Sequence, residues 1–345
     1  NTGMVPAHFL DGAITTILKP GANPLEAVGY RPITLLNTDY RLLARVLADR
    51  LQPALQSVIA PSQTAFLKGR RSGSNILCLQ LLADGLPADS TVVAALLDFA
   101  KAYDTIDRPF LLEVLRALGV GDAYCKWVST LLTATKACAV VNGYVSGPKL
   151  FEAGVRQGCP LSPLLYLCVA EALHRFLKQE GVGVTVLGVP LTCTQFADDT
   201  QVYLPSPAAV PAFLSLMNTF AGASGQRLNV GKTKVLLLGR AARTMHARQQ
   251  HQQPQQQPAP QFVTAAKVLG VTVGEQTSVL ADRVDGVLKA LTRLSRVSYL
   301  SAFGRGLGSA AYGVSKLLYA AEFTDMLPHA LCSRLSKAVA SLVDR

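Results

Sequence analysis

The alternation of apolar and polar positions along the chain predicts short strands interleaved with amphipathic helices. Thr91 to Leu97 is a nearly continuous apolar run rich in β-branched residues, which indicates a buried central strand. Apolar residues recur at helical spacing between Leu42 and Leu51. The same patterns predict further helices over 75–84, 107–118, 123–133, 161–179 and 208–223, and further strands over 30–36, 137–141, 149–153, 235–238 and 268–273.

The ends of the chain differ from this mixed centre. The first thirty residues contain turn signals and are predicted to be rich in loops, whereas the pattern from Val279 onward is helical. The Gln- and Pro-rich stretch within 240–261 is predicted to be a flexible surface insertion, because its composition cannot pack a core. The sequence therefore predicts an α+β or α/β centre with helical flanks.

Carboxylates stand at the ends of two predicted elements. Asp198 and Asp199 lie between two short strand-like runs, where a hairpin would expose them to a divalent metal ion. Taken alone, this pair is better explained as a solvated turn, since Asp is a common turn residue. Asp98 follows the buried strand, where a charge is costly unless something compensates it. Asp104 and Asp107, a little further on, are explained as well by turn or helix-cap roles.

The charge of the chain points to a polyanionic partner or an acidic membrane surface. Its 345 residues, half of them apolar, carry a formal charge of +11. No acidic residue occurs from Thr200 to Gly274, although this stretch contains basic residues at Arg227, Lys232, Lys234, Arg240, Arg243, Arg248 and Lys267. Because a solvated face normally mixes signs, a phosphate-facing surface is the better interpretation.

Cysteine spacing and hydropathy narrow the class of protein. The seven cysteines include no Cys-x-x-Cys pair, so neither a zinc site nor a disulfide framework is indicated, and a reducing intracellular compartment is expected, in the nucleus, the cytoplasm or both. The longest uncharged stretches are interrupted by prolines and polar residues and do not indicate membrane spans. The chain begins at Asn1 without a Met and is expected to be a fragment of a longer protein.

Several segments, taken in chain order, share the motifs of one polymerase family. They are Tyr30-Arg31-Pro32-Ile33-Thr34-Leu35-Leu36-Asn37, Asp98-Phe99-Ala100-Lys101-Ala102-Tyr103-Asp104, Gly154-Val155-Arg156-Gln157-Gly158-Cys159-Pro160-Leu161-Ser162-Pro163-Leu164, Phe196-Ala197-Asp198-Asp199, Leu228-Asn229 with Lys232-Thr233-Lys234, and Leu269-Gly270-Val271. In that order they resemble the fingers, first acidic, template-contacting, second acidic, fourth and primer-grip motifs of the reverse transcriptase domain of non-LTR (LINE-type) retrotransposons.

The resemblance implies an α+β right-hand polymerase. Fingers are expected over residues 1–90, a palm with an antiparallel sheet backed by helices over 91–274, and a helical, incomplete thumb over 275–345. The implied activity is RNA-directed DNA polymerisation with an RNA template, a DNA primer and dNTP as partners and no membrane. The sequence does not give the oligomeric state. Nothing in it resembles the endonuclease that accompanies such polymerases.

The implied cofactor is a pair of Mg²⁺ ions, with Mn²⁺ as a substitute, because in-line displacement at phosphorus is well served by two divalent ions. By resemblance, Asp98 and Asp198 bridge both metals, Asp199 is a weaker ligand and Phe99 is a further metal-contacting residue. Lys232 is implied to neutralise or protonate the leaving pyrophosphate, with simple surface binding of phosphate left open.

The remaining roles concern the nucleotide and the primer. The backbone N–H groups of Phe99 and Ala100 are expected to receive phosphate oxygens, and Tyr103 to exclude a 2′-hydroxyl. Gln157 and Gly158 are expected to contact the nascent base pair, and Arg31 and Arg41 the triphosphate. Leu269 and Gly270 are expected to contact the primer.

Three alternatives stay open at this point. A group II intron or retron type polymerase shares the chemistry, but Tyr30 to Asn37 and Asp98 to Asp104 look more LINE-like. A catalytically inactive nucleic-acid-binding remnant is disfavoured by the intact Asp98, Asp198 and Asp199. A membrane-surface protein would explain the charge but not the placed carboxylates.

Overall fold

The structure, a computed structural model, describes residues 5–249, 259–274, 279–323 and 328–344. The chain divides into two compact units. The first unit comprises residues 1–75 and 86–262, and the second comprises residues 76–85 and 263–345. The expected fingers, palm and thumb boundaries stay a prediction.

Strands occur throughout both units. They are β1 (Asp11–Leu18), β2 (Tyr30–Leu36), β3 (Val93–Leu97), β4 (Lys136–Val141), β5 (Tyr144–Val145), β6 (Lys149–Leu150), β7 (Val184–Val186), β8 (Val189–Leu191), β9 (Cys193–Phe196), β10 (Asp199–Leu204), β11 (Lys234–Leu237), β12 (Gln261–Val263), β13 (Ala265–Val268) and β14 (Val271–Gly274).

Most of the helices follow the predicted amphipathic segments, and α7 (Arg240–Gln249) lies in the predicted insertion. They are α1 (Thr38–Val58), α2 (Gly73–Gly85), α3 (Arg108–Ala117), α4 (Asp122–Leu132), α5 (Ser162–Gln179), α6 (Val210–Ser224), α7 (Arg240–Gln249), α8 (Val279–Leu294), α9 (Ala302–Gly308), α10 (Ser315–Ala321) and α11 (His329–Val343). Within the described residues, no helix combines the length and the apolar character needed to cross a membrane.

The central sheet of the first unit has the strand order β12-β11-β3-β10-β9. Strand β3 lies in the middle, as its apolar run predicted, and it pairs antiparallel with both β10 and β11. Helices α3, α5 and α6 contribute apolar residues to the same buried core as the sheet. Helix α3 begins where the Asp107 carboxylate accepts a hydrogen bond from the Phe110 N–H at 2.7 Å, so Asp107 is a helix cap.

A second sheet in the first unit has the order β2-β1-β4-β5, with β6 also paired to β4. The prediction of a loop-rich beginning is wrong here, because Asp11–Leu18 is a strand. Its seven antiparallel pairs with β2 and four parallel pairs with β4 supply the backbone hydrogen-bond partners. Local turn signals dominated the sequence pattern, whereas the strand depends on pairing with β2 and with β4, and β4 lies more than a hundred residues away.

Two further predictions are corrected by the structure. Residues 268–273 are not one strand, because β13 and β14 form a hairpin whose turn is Leu269-Gly270, both with positive φ. The predicted insertion over 240–261 is wrong at both ends. Residues 240–249 form α7, and the Gln261 N–H donates to the Thr233 carbonyl at 3.0 Å. Residues 250–258, also part of that prediction, lie outside the described residues.

The second unit is mainly helical after its β13–β14 hairpin. Its core contains apolar residues from α8, α10 and α11, namely Val284, Val287, Leu291, Leu317, Leu335 and Leu342. The positions in α8 and in α11 recur at helical spacing, which is why the sequence pattern predicted helices here.

Candidate active site

Three aspartates lie where two antiparallel strands of the central sheet meet. Asp98 directly follows β3, and Asp199 opens β10, whose residue Thr200 pairs with Leu97. Continuing this register by one residue places Asp199 across from Asp98. Asp198 occupies the two-residue turn between β9 and β10, together with Ala197. The sheet topology therefore brings together carboxylates that are about a hundred residues apart in sequence.

The electrostatics of this edge show a concentration of negative charge. Burial raises the pKa of the Asp198 carboxyl, a backbone hydrogen bond opposes this, and the charge of Asp98 raises the pKa further. The pKa of Asp199 is raised to about 6, first by burial and then by the charges of Asp198 and Asp98, although part of its side chain reaches solvent. In the described part of the chain, none of the three forms an ion pair with a basic side chain. A cation is the natural partner for such a cluster.

The donor set is of the kind that a hard divalent cation such as magnesium takes. Among the described residues, no group of three or more His, Cys, Asp or Glu side chains is gathered closely enough to hold a metal ion by itself. Magnesium, however, is usually held by one or two carboxylates together with waters and substrate phosphates, rather than by an all-protein cage. Asp98 and Asp198 supply hard oxygen donors of this kind, so the site fits an ion that is completed by the nucleotide.

The segment before β11 holds the end of β3 in place. The Asn229 N–H donates to the Asp98 carbonyl at 2.7 Å, and the Asp98 N–H donates to the Thr233 hydroxyl at 3.4 Å. Lys232 stands between these two residues in the sequence, and its side chain is exposed. The segment that carries Lys232 is therefore hydrogen-bonded to the Asp98 backbone on either side of Lys232, and the predicted role of Lys232 toward pyrophosphate stays a prediction.

The two backbone amides predicted to receive phosphate differ in their surroundings. Phe99 pairs with Leu228 in an isolated antiparallel β-bridge. In a pair of this kind the backbone hydrogen bonds are made by the residues on either side and not by the pair itself. The Ala100 N–H donates to the Arg227 carbonyl at 2.8 Å, so it is engaged within the protein in this structure. Sequence spacing could not show this, because the partner segment lies far along the chain.

Tyr103 lies near the carboxylates with its ring against another tyrosine. Burial raises the pKa of its hydroxyl and the charge of Asp198 raises it further. Its ring stacks on Tyr166 with centroids 4.7 Å apart and planes 16° apart. The Tyr166 hydroxyl donates to the Gln226 Oε1 at 3.3 Å. Sequence reasoning missed Tyr166 and Gln226, since a tyrosine in an apolar helix and a glutamine in a turn carry no distinguishing signal.

The template-contacting segment is docked on β2. The Thr34 N–H donates to the Gln157 carbonyl at 2.8 Å, and the Gln157 Nε2 donates to the Asp104 carboxylate at 3.3 Å. Gly158 has a φ of 111°, and a Cβ atom there would come within 2.5 Å of the Thr34 carbonyl oxygen. Gln157 and Gly158 thus form a tight junction between the sheet with β2 and the aspartate-bearing segment.

Arg156, in the Gly154 to Leu164 motif, would be expected from its sequence to lie at the entrance of the helix predicted over 161–179, but the structure places it elsewhere. Its side chain is buried, with its guanidinium 5.5 Å from the Tyr40 ring centroid and donating to the Leu10 carbonyl. Burial lowers its pKa. Helix α5 begins only at Ser162, so neither Arg156 nor Gln157 lies at its first turn. Arg156 is therefore engaged within the protein and does not present its charge to a ligand.

The remaining predicted residues lie on three other elements. Arg31 lies on β2 opposite Ile17, and Arg41 lies in the first turn of α1, both with exposed side chains. Leu269 and Gly270 form the tip of the hairpin in the second unit, where Gly270 accepts a hydrogen bond from the Arg283 guanidinium. Their predicted roles toward triphosphate and primer stay predictions.

Comparison with protein families gives one match over most of the chain. Residues 17–273 match the family described as reverse transcriptase (RNA-dependent DNA polymerase). The chain is 30% identical over 227 residues to the transposon TX1 149 kDa protein of Xenopus laevis, covering 64% of this chain and 17% of that protein. It is 27% identical over 346 residues to a Pol polyprotein of the retrotransposable element R2 of Popillia japonica, covering 98% and 44%.

Further similarity extends to another mobile element and to solved structures. An RNA-directed DNA polymerase from mobile element jockey of Drosophila funebris is 26% identical over 239 residues, covering 67% of this chain and 26% of that protein. Apo telomerase from Candida tropicalis has a similar fold, with a TM-score of 0.54 at 11% identity, covering 99% and 62% of the two chains. The chain thus spans less than half the length of these sequence relatives.

Proposed function

Because this chain belongs to the reverse transcriptase (RNA-dependent DNA polymerase) family, we propose that it extends a DNA primer by copying an RNA template. Its relatives include proteins of the R2, jockey and TX1 elements, so the resemblance to LINE-type retrotransposon polymerases is confirmed. The mixed α+β architecture and its similarity to telomerase also confirm the right-hand polymerase fold.

The reaction is an in-line displacement. The primer 3′-oxygen attacks the α-phosphorus of a dNTP, the new phosphodiester bond forms, and the bond to pyrophosphate breaks. Asp98 and Asp198 would hold Mg²⁺, with Asp199 as the weaker ligand. Bound there, the metal supplies positive charge that lowers the pKa of the attacking hydroxyl and neutralises the leaving group. Mn²⁺ is the expected substitute because it takes the same oxygen donors.

The chain's own residues position the substrate around this edge. Tyr103, stacked on Tyr166, stands beside Asp198, where it would meet the sugar of an incoming nucleotide. Lys232 would neutralise the pyrophosphate oxygens as they gain charge. Gln157 and Gly158 would contact the nascent base pair from the junction with β2.

One observation carries the proposal. The sheet gathers three carboxylates, the charge of Asp98 raises the pKa of both Asp198 and Asp199, and no basic side chain of the described residues pairs with them. The stretch 200–274, which includes the segment beside Asp98, contains no acidic residue. Negative charge held next to a basic surface suits a site where metal ions and phosphates meet.

Primer extension tests the proposal. We expect the wild-type chain to add dNTP to a DNA primer annealed to RNA in Mg²⁺, and Asp198→Asn to abolish extension while leaving primer–template binding intact. Loss of a ligand to the reacting centre removes stabilisation of the transition state without removing the phosphate-binding surface. A folded wild-type chain that binds primer–template but extends nothing in Mg²⁺ or Mn²⁺ would instead support the inactive nucleic-acid-binding remnant.

A further inference from the structure

We infer that Gln63 is a positioning residue that fixes the Ala197-Asp198 turn, and through it the Asp198 carboxylate. The kinetic consequence rests on the proposed polymerase function, whereas the structural consequence does not. Gln63 lies in the segment after α1, which the sequence pattern marks only as a basic loop, and its side chain is fully buried at 0% exposure.

The side-chain amide of Gln63 contacts both the N–H and the carbonyl of Ala197. Its Oε1 accepts hydrogen bonds from the Ala197 N–H at 3.0 Å and the Ala65 N–H at 3.1 Å. Its Nε2 donates to the Ala197 carbonyl at 3.4 Å. One side chain therefore binds the donor and the acceptor of the residue that immediately precedes Asp198.

Ala197 needs such support because its backbone is in an unfavourable conformation. Its φ is 56°, in the left-handed region that residues with a Cβ atom rarely adopt. Asp198 follows directly, so any relaxation of Ala197 would change the direction of the carboxylate relative to Asp98. Strained residues of this kind persist only where surrounding contacts hold them.

The segment that carries Gln63 is itself fixed to the sheet. The Thr64 N–H donates to the Gln195 carbonyl and the Gln195 N–H donates to the Ser62 carbonyl, both at 2.8 Å, so Gln63 forms a parallel bridge beside β9. Strand β9 would otherwise be the edge of its sheet. The turn before Asp198 is thus held from the side opposite to β10.

An arginine holds the other end of this segment. The Arg70 guanidinium donates to the carbonyls of Ala60, Gln63 and Ile59 at 2.6, 2.7 and 2.8 Å. Several hydrogen bonds from one rigid, planar guanidinium group fix the backbone segment that contains Gln63. The Gln63 side chain is therefore pre-organised, so that little conformational freedom is lost when it binds the turn.

Gln63→Met tests the inference, because methionine keeps the volume of glutamine and removes the three amide hydrogen bonds. Gln52→Met is the matched control, since the Gln52 Nε2 donates to the Phe66 carbonyl at 3.2 Å in the same loop and does not contact the turn. The first readout is amide hydrogen exchange over residues 193–200 of the metal-free protein. We expect exchange in this segment to become about tenfold faster in Gln63→Met and to be unchanged in Gln52→Met.

The second readout is primer extension over a range of Mg²⁺ concentrations. In Gln63→Met we expect kcat to fall roughly 10- to 100-fold and the half-saturating Mg²⁺ concentration to rise, because the carboxylate is displaced from its productive position. A merely structural role would reduce the amount of folded protein without changing the half-saturating concentration, and thermal melting measures that amount.

The outcomes separate this inference from the proposed function. If wild-type chain extends no primer, the proposed function fails, and the exchange measurement still decides whether Gln63 fixes the turn. If the wild type is active and Gln63→Met shows unchanged exchange over 193–200, or an unchanged Mg²⁺ dependence in folded protein, Gln63 is not a positioning residue.

Discussion

Gln226 gives the sharpest test of how the protein supports the surroundings of Tyr103. Its buried side chain connects three parts of the first unit. The Nε2 donates to the Ala102 carbonyl at 2.8 Å and the Thr105 hydroxyl at 3.2 Å, while the Oε1 accepts from Tyr166 at 3.3 Å. Gln226→Met keeps the volume and removes all three hydrogen bonds, so the change isolates polar pairing from packing.

The expected magnitude follows from the groups left behind. The substitution leaves the Tyr166 hydroxyl and the Ala102 carbonyl without their Gln226 partners, and both residues are buried. Each buried polar group without a partner costs about 1–3 kcal/mol. We therefore expect the free energy of unfolding of the first unit to fall by about 2–6 kcal/mol. Removing the Tyr166 hydroxyl as well, in Gln226→Met with Tyr166→Phe, should recover about 1 kcal/mol of this loss.

Urea unfolding followed by tryptophan fluorescence measures this change. Trp127 is the single tryptophan of the chain and lies on α4, so its signal reports the first unit. Gln179→Met, at the exposed end of α5, is the control and should change the free energy by less than about 0.5 kcal/mol. A Gln226→Met variant as stable as this control would refute the importance of the three hydrogen bonds.

The remaining predictions concern the proposed chemistry. Tyr103→Ala should raise ribonucleotide incorporation relative to deoxynucleotide incorporation by roughly 10- to 200-fold in steady-state kinetics, because a bulky ring is removed from the sugar position; unchanged discrimination would remove that role. The pKa of Asp199 is raised from its ordinary value of 3.8 to about 6, so its charge destabilises the folded, metal-free protein fully above about pH 6. This destabilisation is lost as the pH falls below 3.8, where the carboxyl is protonated in both the folded and the unfolded state. Asp199→Asn should therefore raise the melting temperature at pH 7.5 and leave it nearly unchanged at about pH 3, and equal effects at both would contradict the reasoning. Primer–template affinity, followed by fluorescence anisotropy, should fall by about three orders of magnitude between 50 and 200 mM salt if roughly six phosphates are contacted, and a flat salt response would exclude a phosphate-binding surface.

The long segments with a regular apolar pattern were predictable, because the apolar residues that mark each segment are the ones that the fold buries. Strand β3 and helices α3 to α6 follow from apolar runs and helical spacing that need no distant partner to be recognised. Strand β1 was missed because its backbone is satisfied by β2 and by β4, a strand far along the chain. The Leu269-Gly270 turn was missed because Val268 before it and the β-branched residues 271–273 after it resemble one continuous strand.

Most residues of the candidate site were identified from the sequence motifs, because each reactive side chain has a recognisable position within a short segment. Asp98, Asp198, Asp199, Tyr103 and Gln157 were all singled out in this way. The supporting residues were not, since Gln63, Tyr166 and Gln226 act through hydrogen bonds and stacking with residues 60 to 134 positions away. The burial of Arg156 could not be read from its motif either, because burial depends on what packs around a residue.

The sequence by itself determined which chemistry is present: three carboxylates, a basic stretch without acidic residues, and an apolar strand that ends in an aspartate. Only the tertiary structure decided how these groups meet. Antiparallel pairing of β3 with β10 places Asp199 across from the end of β3, and the Gln63 amide holds the backbone before Asp198. The physical reason is that charge and periodicity are local properties of a chain, whereas register, burial and hydrogen-bond pairing arise from segments that touch only after folding.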